Sequence, residues 1–204
     1  RLRDFNLIVP EHPAIALLSG LAAQHAVQRF QQGKSWQVVA ADPGFIACLD
    51  QEQKDTPAKH RLTPARAARR YQLYFKIHGF VDWYDWRSEH WGSKWNVYHY
   101  RHQGGEVWFE TALMHPWPVL EALSRQFPAE VFSVSYADED LGSDTGTYEM
   151  QNGTLLSGSE PDDGSREAFE LAFFHWGGEE DYVLRDDGYH HIDDDGDDAS
   201  SSVA

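Results

Sequence analysis

The sequence predicts an α+β fold, a split βαβ arrangement with helices on one face of an antiparallel sheet. Three observations predict it. Residues 96–101 and 107–111 alternate as strands do and flank a Gly104-Gly105 turn. Residues 118–127 follow with Leu120, Leu123 and Phe127 spaced at about one helical turn. Alternation then resumes at residues 131–136. Strand, strand, helix, strand is the order of folds built on a split βαβ unit.

The remaining elements follow in chain order. Residues 13–30 read as a helix, with Pro13 in its first turn and Leu18, Leu21, Ala22, His25 and Phe30 on one side. Gly33 ends it, and residues 36–40 (Trp-Gln-Val-Val-Ala) have strand character. Residues 50–60 are polar, contain Pro57, and are expected as loop. Thr63-Pro64 is an N-cap followed by proline at the first helical position, and the helix should run to about Ile77 with Gly79 as its C-cap. After residues 131–136 a second hairpin is centred on Asn152-Gly153, the pair best suited to a type I′ turn. Ala168, Phe169, Ala172, Phe173 and Trp176 mark a final amphipathic helix. The expected organisation is one domain over residues 1–176, with an inserted helix and loop at about 42–82, and an acidic tail over 177–204.

Of 204 residues, 41% are hydrophobic, enough for a buried core. No apolar run approaches the roughly 18–20 residues of a membrane helix. No apolar segment with a cleavage site follows Arg1, so no secretory leader is expected; opening on Arg, the chain is expected to begin inside a longer reading frame. Cys48 is the single cysteine, which excludes an internal disulfide and fits a reducing, cytoplasmic setting. The net charge of −16 is unevenly placed. Residues 1–136 carry 15 Lys/Arg against 13 Asp/Glu, whereas residues 137–204 carry 2 against 20. The last third, at −18, is repelled by nucleic acid and drawn to basic surfaces, although acidic tails also serve as solubilisers.

The densest stretch is Tyr84-Asp85-Trp86-Arg87-Ser88-Glu89-His90-Trp91-Gly92-Ser93-Lys94-Trp95-Asn96. With Asp4-Phe5-Asn6-Leu7-Ile8-Val9-Pro10, Phe109-Glu110-Thr111-Ala112 and the segment from Pro118 to Pro128, it resembles the YubB ferredoxin-like family, a domain of unknown function in phage and plasmid proteins. Trp91, Gly92, Lys94, Trp95 and Asn96 carry the WGxKWN signature, and Trp86 upstream belongs to the same block. The resemblance implies a ferredoxin-like sheet and a mobile-element origin, and it transfers no catalytic residue. The family's opening strand and helix have no counterpart here, so residues before Arg1 or another element should fill that slot in the sheet. Trp86, Trp91 and Trp95 are expected to be largely buried where the hairpin meets a helix, and residues 131–136 are expected to join the hairpin in one sheet.

Chemistry is sparse. His190-His191 with Asp193-Asp194-Asp195 fits neither a zincin helix nor an EF-hand loop. Cys48 lies in an apolar run, Glu89 and His90 are adjacent and so point apart, and no nucleophile-elbow or phosphate-loop pattern occurs. No metal and no cofactor are expected. The first functional expectation is therefore a non-enzymatic protein whose acidic surface imitates the charge of DNA and binds a basic host or phage protein. Asp138, Glu139, Asp140, Glu179, Glu180, Asp181, Asp193, Asp194 and Asp195 are the candidate contacts. The second is a nucleic-acid-binding domain using the basic helix 59–76, through Arg61, Arg66, Arg69 and Arg70, with exposed aromatics that stack on bases. No membrane contact is expected in either case.

Overall fold

In this computed structural model the described residues are 2–11, 20–79, 83–112, 114–186 and 188–193. The chain divides into two compact units, Arg1–Val119 and Leu120–Ala204.

The first unit opens with a short 3-10 turn, Phe5–Leu7, and then builds a helical cluster from α1 (Leu21–Gln31), α2 (Trp36–Ala40), α3 (Pro43–Glu52) and α4 (Pro64–His78). Ala22, Ala23 and Ala26 of α1 and Ala67 and Ala68 of α4 are fully buried, and such small side chains let the helix backbones approach. Val39, Phe45 and Leu49 fill the space left over. The strand expected at residues 36–40 is a helix. Trp36, Val39 and Ala40 are buried or half-buried while Gln37 and Val38 are exposed, a helical spacing that the short apolar run concealed. The expected loop at 50–60 is partly ordered too: α3 extends to Glu52, and Ala58–His60 is a 3-10 turn. Glu52 Oε1 accepts a hydrogen bond from Ala22 N at 2.8 Å, capping α1 from a different helix. Thr63 caps α4 by accepting from Arg66 N, and Gly79 ends it at φ 73°, both as the sequence predicts. Of the helix expected over residues 13–30, residues 12–19 lie outside those described.

Helix α5 (Trp83–Trp91) and the hairpin β1 (Tyr98–Gln103)–β2 (Glu106–Glu110) complete this unit. Here the signature residues meet the N-terminal segment. Trp91 is 1% exposed, packs edge-on against Phe5 and Trp86 at 5.8 Å each, and donates its indole N–H to Val9 O at 2.9 Å. Arg87 reaches Glu11 Oε2 at 2.8 Å while its guanidinium lies over both Trp83 and Trp91. Gly92 leaves the helix at φ 68°, where a Cβ would come within 2.8 Å of His115 O. Buried Ser93 donates to Trp95 O and to Ala112 O, and its hydroxyl accepts from Ala112 N. Asn96 donates to Asp4 Oδ1 at 2.7 Å and accepts from Phe5 N and Val97 N, each at 2.9 Å. Trp86 is buried as expected, but Trp95 is 52% exposed, with the Lys94 ammonium over its ring at 4.6 Å. Beyond the tight turn at Gly92, Trp95 no longer sits on the helix face that buries Trp86 and Trp91.

The second unit begins inside α6 (Trp117–Gln126) and contains the antiparallel meander β3 (Val131–Tyr136), β4 (Gly146–Gln151) and β5 (Thr154–Ser159). Asn152 and Gly153 turn β4 into β5 with φ of 49° and 73°, the expected type I′ geometry. Ser124 Oγ accepts from Gly153 N at 2.7 Å and so fixes this turn to α6. Helix α7 (Arg166–Trp176) buries Ala168 and Ala172, and its Phe169 and Phe173 pack against Tyr182 and Tyr189. Those tyrosines belong to β6 (Tyr182–Arg185) and β7 (Gly188–His191), a hairpin inside the stretch expected as tail.

One expectation is corrected. Strand β3 does not join β1 and β2: its ladder partner is β4, and among the described residues β1 and β2 pair only with each other. Strand β1 is a poor template for a further neighbour. His99 sits at φ 48°, the register shifts between Tyr98 and Arg101, and five of its six side chains are exposed.

Two outcomes test these roles. Trp91→Ala is expected to cost about 3–5 kcal/mol and Trp95→Ala less than about 1 kcal/mol in urea unfolding. Burial holds His115 down to about 4, against 6.5 when unfolded. The unfolded chain thus binds a proton that the folded chain refuses. Stability is full above about pH 6.5 and falls by about 3 kcal/mol as pH drops to about 4. A His115→Gln variant should lose much less over that range, measured as unfolding midpoint against pH.

Candidate functional site

The second unit holds three Lys/Arg against 22 Asp/Glu, a net charge of −19, whereas the first holds 14 against 11, a net charge of +3. Within the second unit the β3–β4 and β5–α7 loops bring carboxylates together. Gly164 N donates to Gly142 O at 2.8 Å, and Asp144 N donates to Asp163 Oδ1 at 3.1 Å. Gly142 stands at φ 86°, and any Cβ there would strike the Phe169 ring at 2.9 Å. Asp138 Oδ1 accepts from Asp140 N at 2.9 Å, and Ser143 donates to Asp140. The result is a cluster of Asp138, Asp144, Glu160 and Asp163.

Its electrostatics show the crowding. Asp144 is pushed above the ordinary carboxylate range, first by partial burial and then by Asp138, Asp163 and Glu160. Tyr136, whose hydroxyl donates to Glu160 at 3.4 Å, is pushed up to about 12 by burial, then by Glu160 and Asp144. Of the unit's cations, Arg166 pairs with Glu170 at 2.7 Å and Arg125 with Glu121 at 2.9 Å.

Of the residues nominated from sequence, Asp138 enters this cluster, and Glu139 and Asp140 are exposed beside it on the same loop. Glu179, Glu180 and Asp181 form an exposed 3-10 turn before β6, and Asp193 is exposed after β7. Asp194 and Asp195 lie outside the described residues. Asp144, Glu160 and Asp163 were not nominated. The Asp162-Asp163-Gly164-Ser165 turn was their signal, since it had to fold back before the Ser165 cap of α7.

The basic alternative is divided by the structure. Arg61 is committed to its own loop, donating to Thr56 O and Lys54 O at 2.8 Å each. Arg66 and Arg69 are exposed on α4, and Arg70 is half-buried. His90 stacks on Trp86 at 4.5 Å and contacts its carbonyl, away from exposed Glu89. Ser135 Oγ lies 2.7 Å from His175 Nε2, but no carboxylate among the described residues orients that ring. Among the described residues no three His, Cys, Asp or Glu side chains gather as a metal site, and no helix is long and apolar enough to cross a membrane.

Asp144→Asn should keep the left-handed backbone, which Asn tolerates, and relieve the repulsion. A gain on the order of a few tenths of a kcal/mol at pH 7, read as a raised Tm, is expected once solvent screening is counted.

No curated protein sequence and no solved structure matches the chain. Residues 94–178 match the family described as "Ferredoxin-like domain in Api92-like protein". The segment from β1 to α7 is therefore a ferredoxin-like domain of α+β class, whose strand ladders here fall into a separate ribbon and meander.

Proposed function

We propose that this chain is a non-enzymatic phage or plasmid protein that binds a basic host or phage protein through the acidic surface of its second unit, a surface that imitates the charge of DNA. The cluster of Asp138, Asp144, Glu160 and Asp163 carries the reading, because its mutual repulsion is relieved by any cation brought to it. The mobile-element origin rests on the WGxKWN resemblance. A second reading draws on the first unit, where exposed Arg66 and Arg69 accompany cation–aromatic pairs at Lys94–Trp95 and Arg101–Trp108. It would make the chain a nucleic-acid binder.

Capture of DNA-binding proteins on the immobilised full chain separates the two. Captured proteins should be released by raising salt from about 0.1 M, where the Debye length is about 10 Å, towards 1 M. Duplex DNA should compete for them, and a variant with Asp138→Asn, Asp144→Asn, Glu160→Gln and Asp163→Asn should retain few. Tight DNA or RNA binding by the intact chain, lost in Arg66→Ala/Arg69→Ala, would install the second reading.

A further inference from the structure

The meander has two edges, and they are treated differently. Strand β3 is flanked by α7, through Ser135–His175 at 2.7 Å and through Trp176 Nε1 donating to Ala137 O at 3.2 Å. Strand β5 is the terminal strand on the other side, and all six of its residues are exposed. Natural edges are blunted by lysine, proline, inward charge, β-bulges or a covering element. Thr154-Leu155-Leu156-Ser157-Gly158-Ser159 contains no lysine, proline or charged residue, and among the described residues no strand pairs with its outer edge. A register shift beside Leu156 bends the strand without covering it, and Leu155 and Leu156 are each 52% exposed.

We propose that the open edge of β5 is a docking strand for an extended segment of a basic protein. This deepens the acidic-surface reading and rests on it. Main-chain hydrogen bonds to the edge would supply affinity, and Leu155 and Leu156 would offer apolar contact to alternate side chains. Charge chooses the occupant. The edge ends at Ser159, and the next residue is Glu160, one of the four clustered carboxylates. At the opposite end Arg125 packs on the Gly153 turn. The Glu160 carboxylate accepts from Tyr136 of β3, so the charge that selects a basic segment is that of the unit as a whole, −19. A second copy of this chain is disfavoured, since edge-to-edge pairing would bring two units of net charge −19 together.

The test uses the full ¹⁵N-labelled chain and a ten-residue peptide of alternating valine and lysine, alongside the same peptide with alternate backbone amides N-methylated. The unmodified peptide should shift the amide signals of residues 155–159 most. N-methylation should weaken binding about tenfold or more, as expected for two or more lost hydrogen bonds. Glu160→Gln/Asp163→Asn should weaken both peptides. Equal binding of the two peptides would overturn the docking strand and leave the acidic-surface reading standing. Binding that N-methylation abolishes but that salt and the carboxylate variant leave unchanged would overturn the basic-partner assignment and the proposal with it. A dimer of the free chain in sedimentation, dissociated by the peptide, would give the edge to a second copy and overturn the proposal. If neither peptide binds, the docking strand is removed, and the acidic surface is then judged by capture of folded basic proteins alone.

Discussion

The indole of Trp91 fixes the first unit's non-helical half. Its ring fills the space between Phe5 and Trp86, and its N–H satisfies the carbonyl of Val9, a residue 82 positions earlier. Remove that ring and Phe5 loses one of its two aromatic neighbours among the described residues, and Val9 O its indole donor. Asn96 repeats the arrangement from the other side of the turn, holding Asp4 and the amide of Phe5. Between them, Gly92 and Ser93 reverse the chain at a point too tight for a larger side chain. The tryptophan-rich motif is thus a device for binding a distant backbone segment, and the hairpin follows from it.

The second unit answers a different constraint. Its two acidic loops are joined by backbone, Gly164 N to Gly142 O, and seated by a glycine that makes room for Phe169. Carboxylates are held near one another partly by that backbone bond and partly by their own hydrogen bonds, since Asp163 Oδ1 accepts from Asp144 N and Asp138 Oδ1 accepts from Asp140 N. Such an arrangement concentrates negative potential within the second unit.

Much of this was legible in the sequence, for identifiable reasons. Thr63-Pro64, Gly79, Gly104-Gly105 and Asn152-Gly153 declared their caps and turns because those geometries depend on local chemistry alone. Residues 36–40 misled because five apolar-rich residues cannot distinguish period two from period 3.6 until a neighbour selects a face, and Val39 found its face only against α1 and α4. Trp95 misled because composition reports a cluster but not the turn that splits it. The grouping of the strands was hidden because the irregularity at His99 is a backbone conformation with no sequence cue. Of the acidic surface, the charge excess was plain, whereas the meeting of Asp144 with Glu160 and Asp163 depended on two loop-to-loop hydrogen bonds.

The clasp around Trp91 has an evolutionary corollary. Trp91 grips a carbonyl, Ser93 grips carbonyls and an amide, and Asn96 grips the amide of Phe5. Backbone atoms are supplied by every residue, so Val9 is freer to drift than Trp91, whereas Phe5 is also held by its own buried ring. The two blocks should accordingly co-vary at few places: Glu11 with Arg87, whose side chains pair directly, and Asp4 with Asn96. Apart from these and the buried Phe5 and Ile8, the N-terminal segment can diverge beneath an unchanging tryptophan motif, so the two halves of one interface should age at different rates.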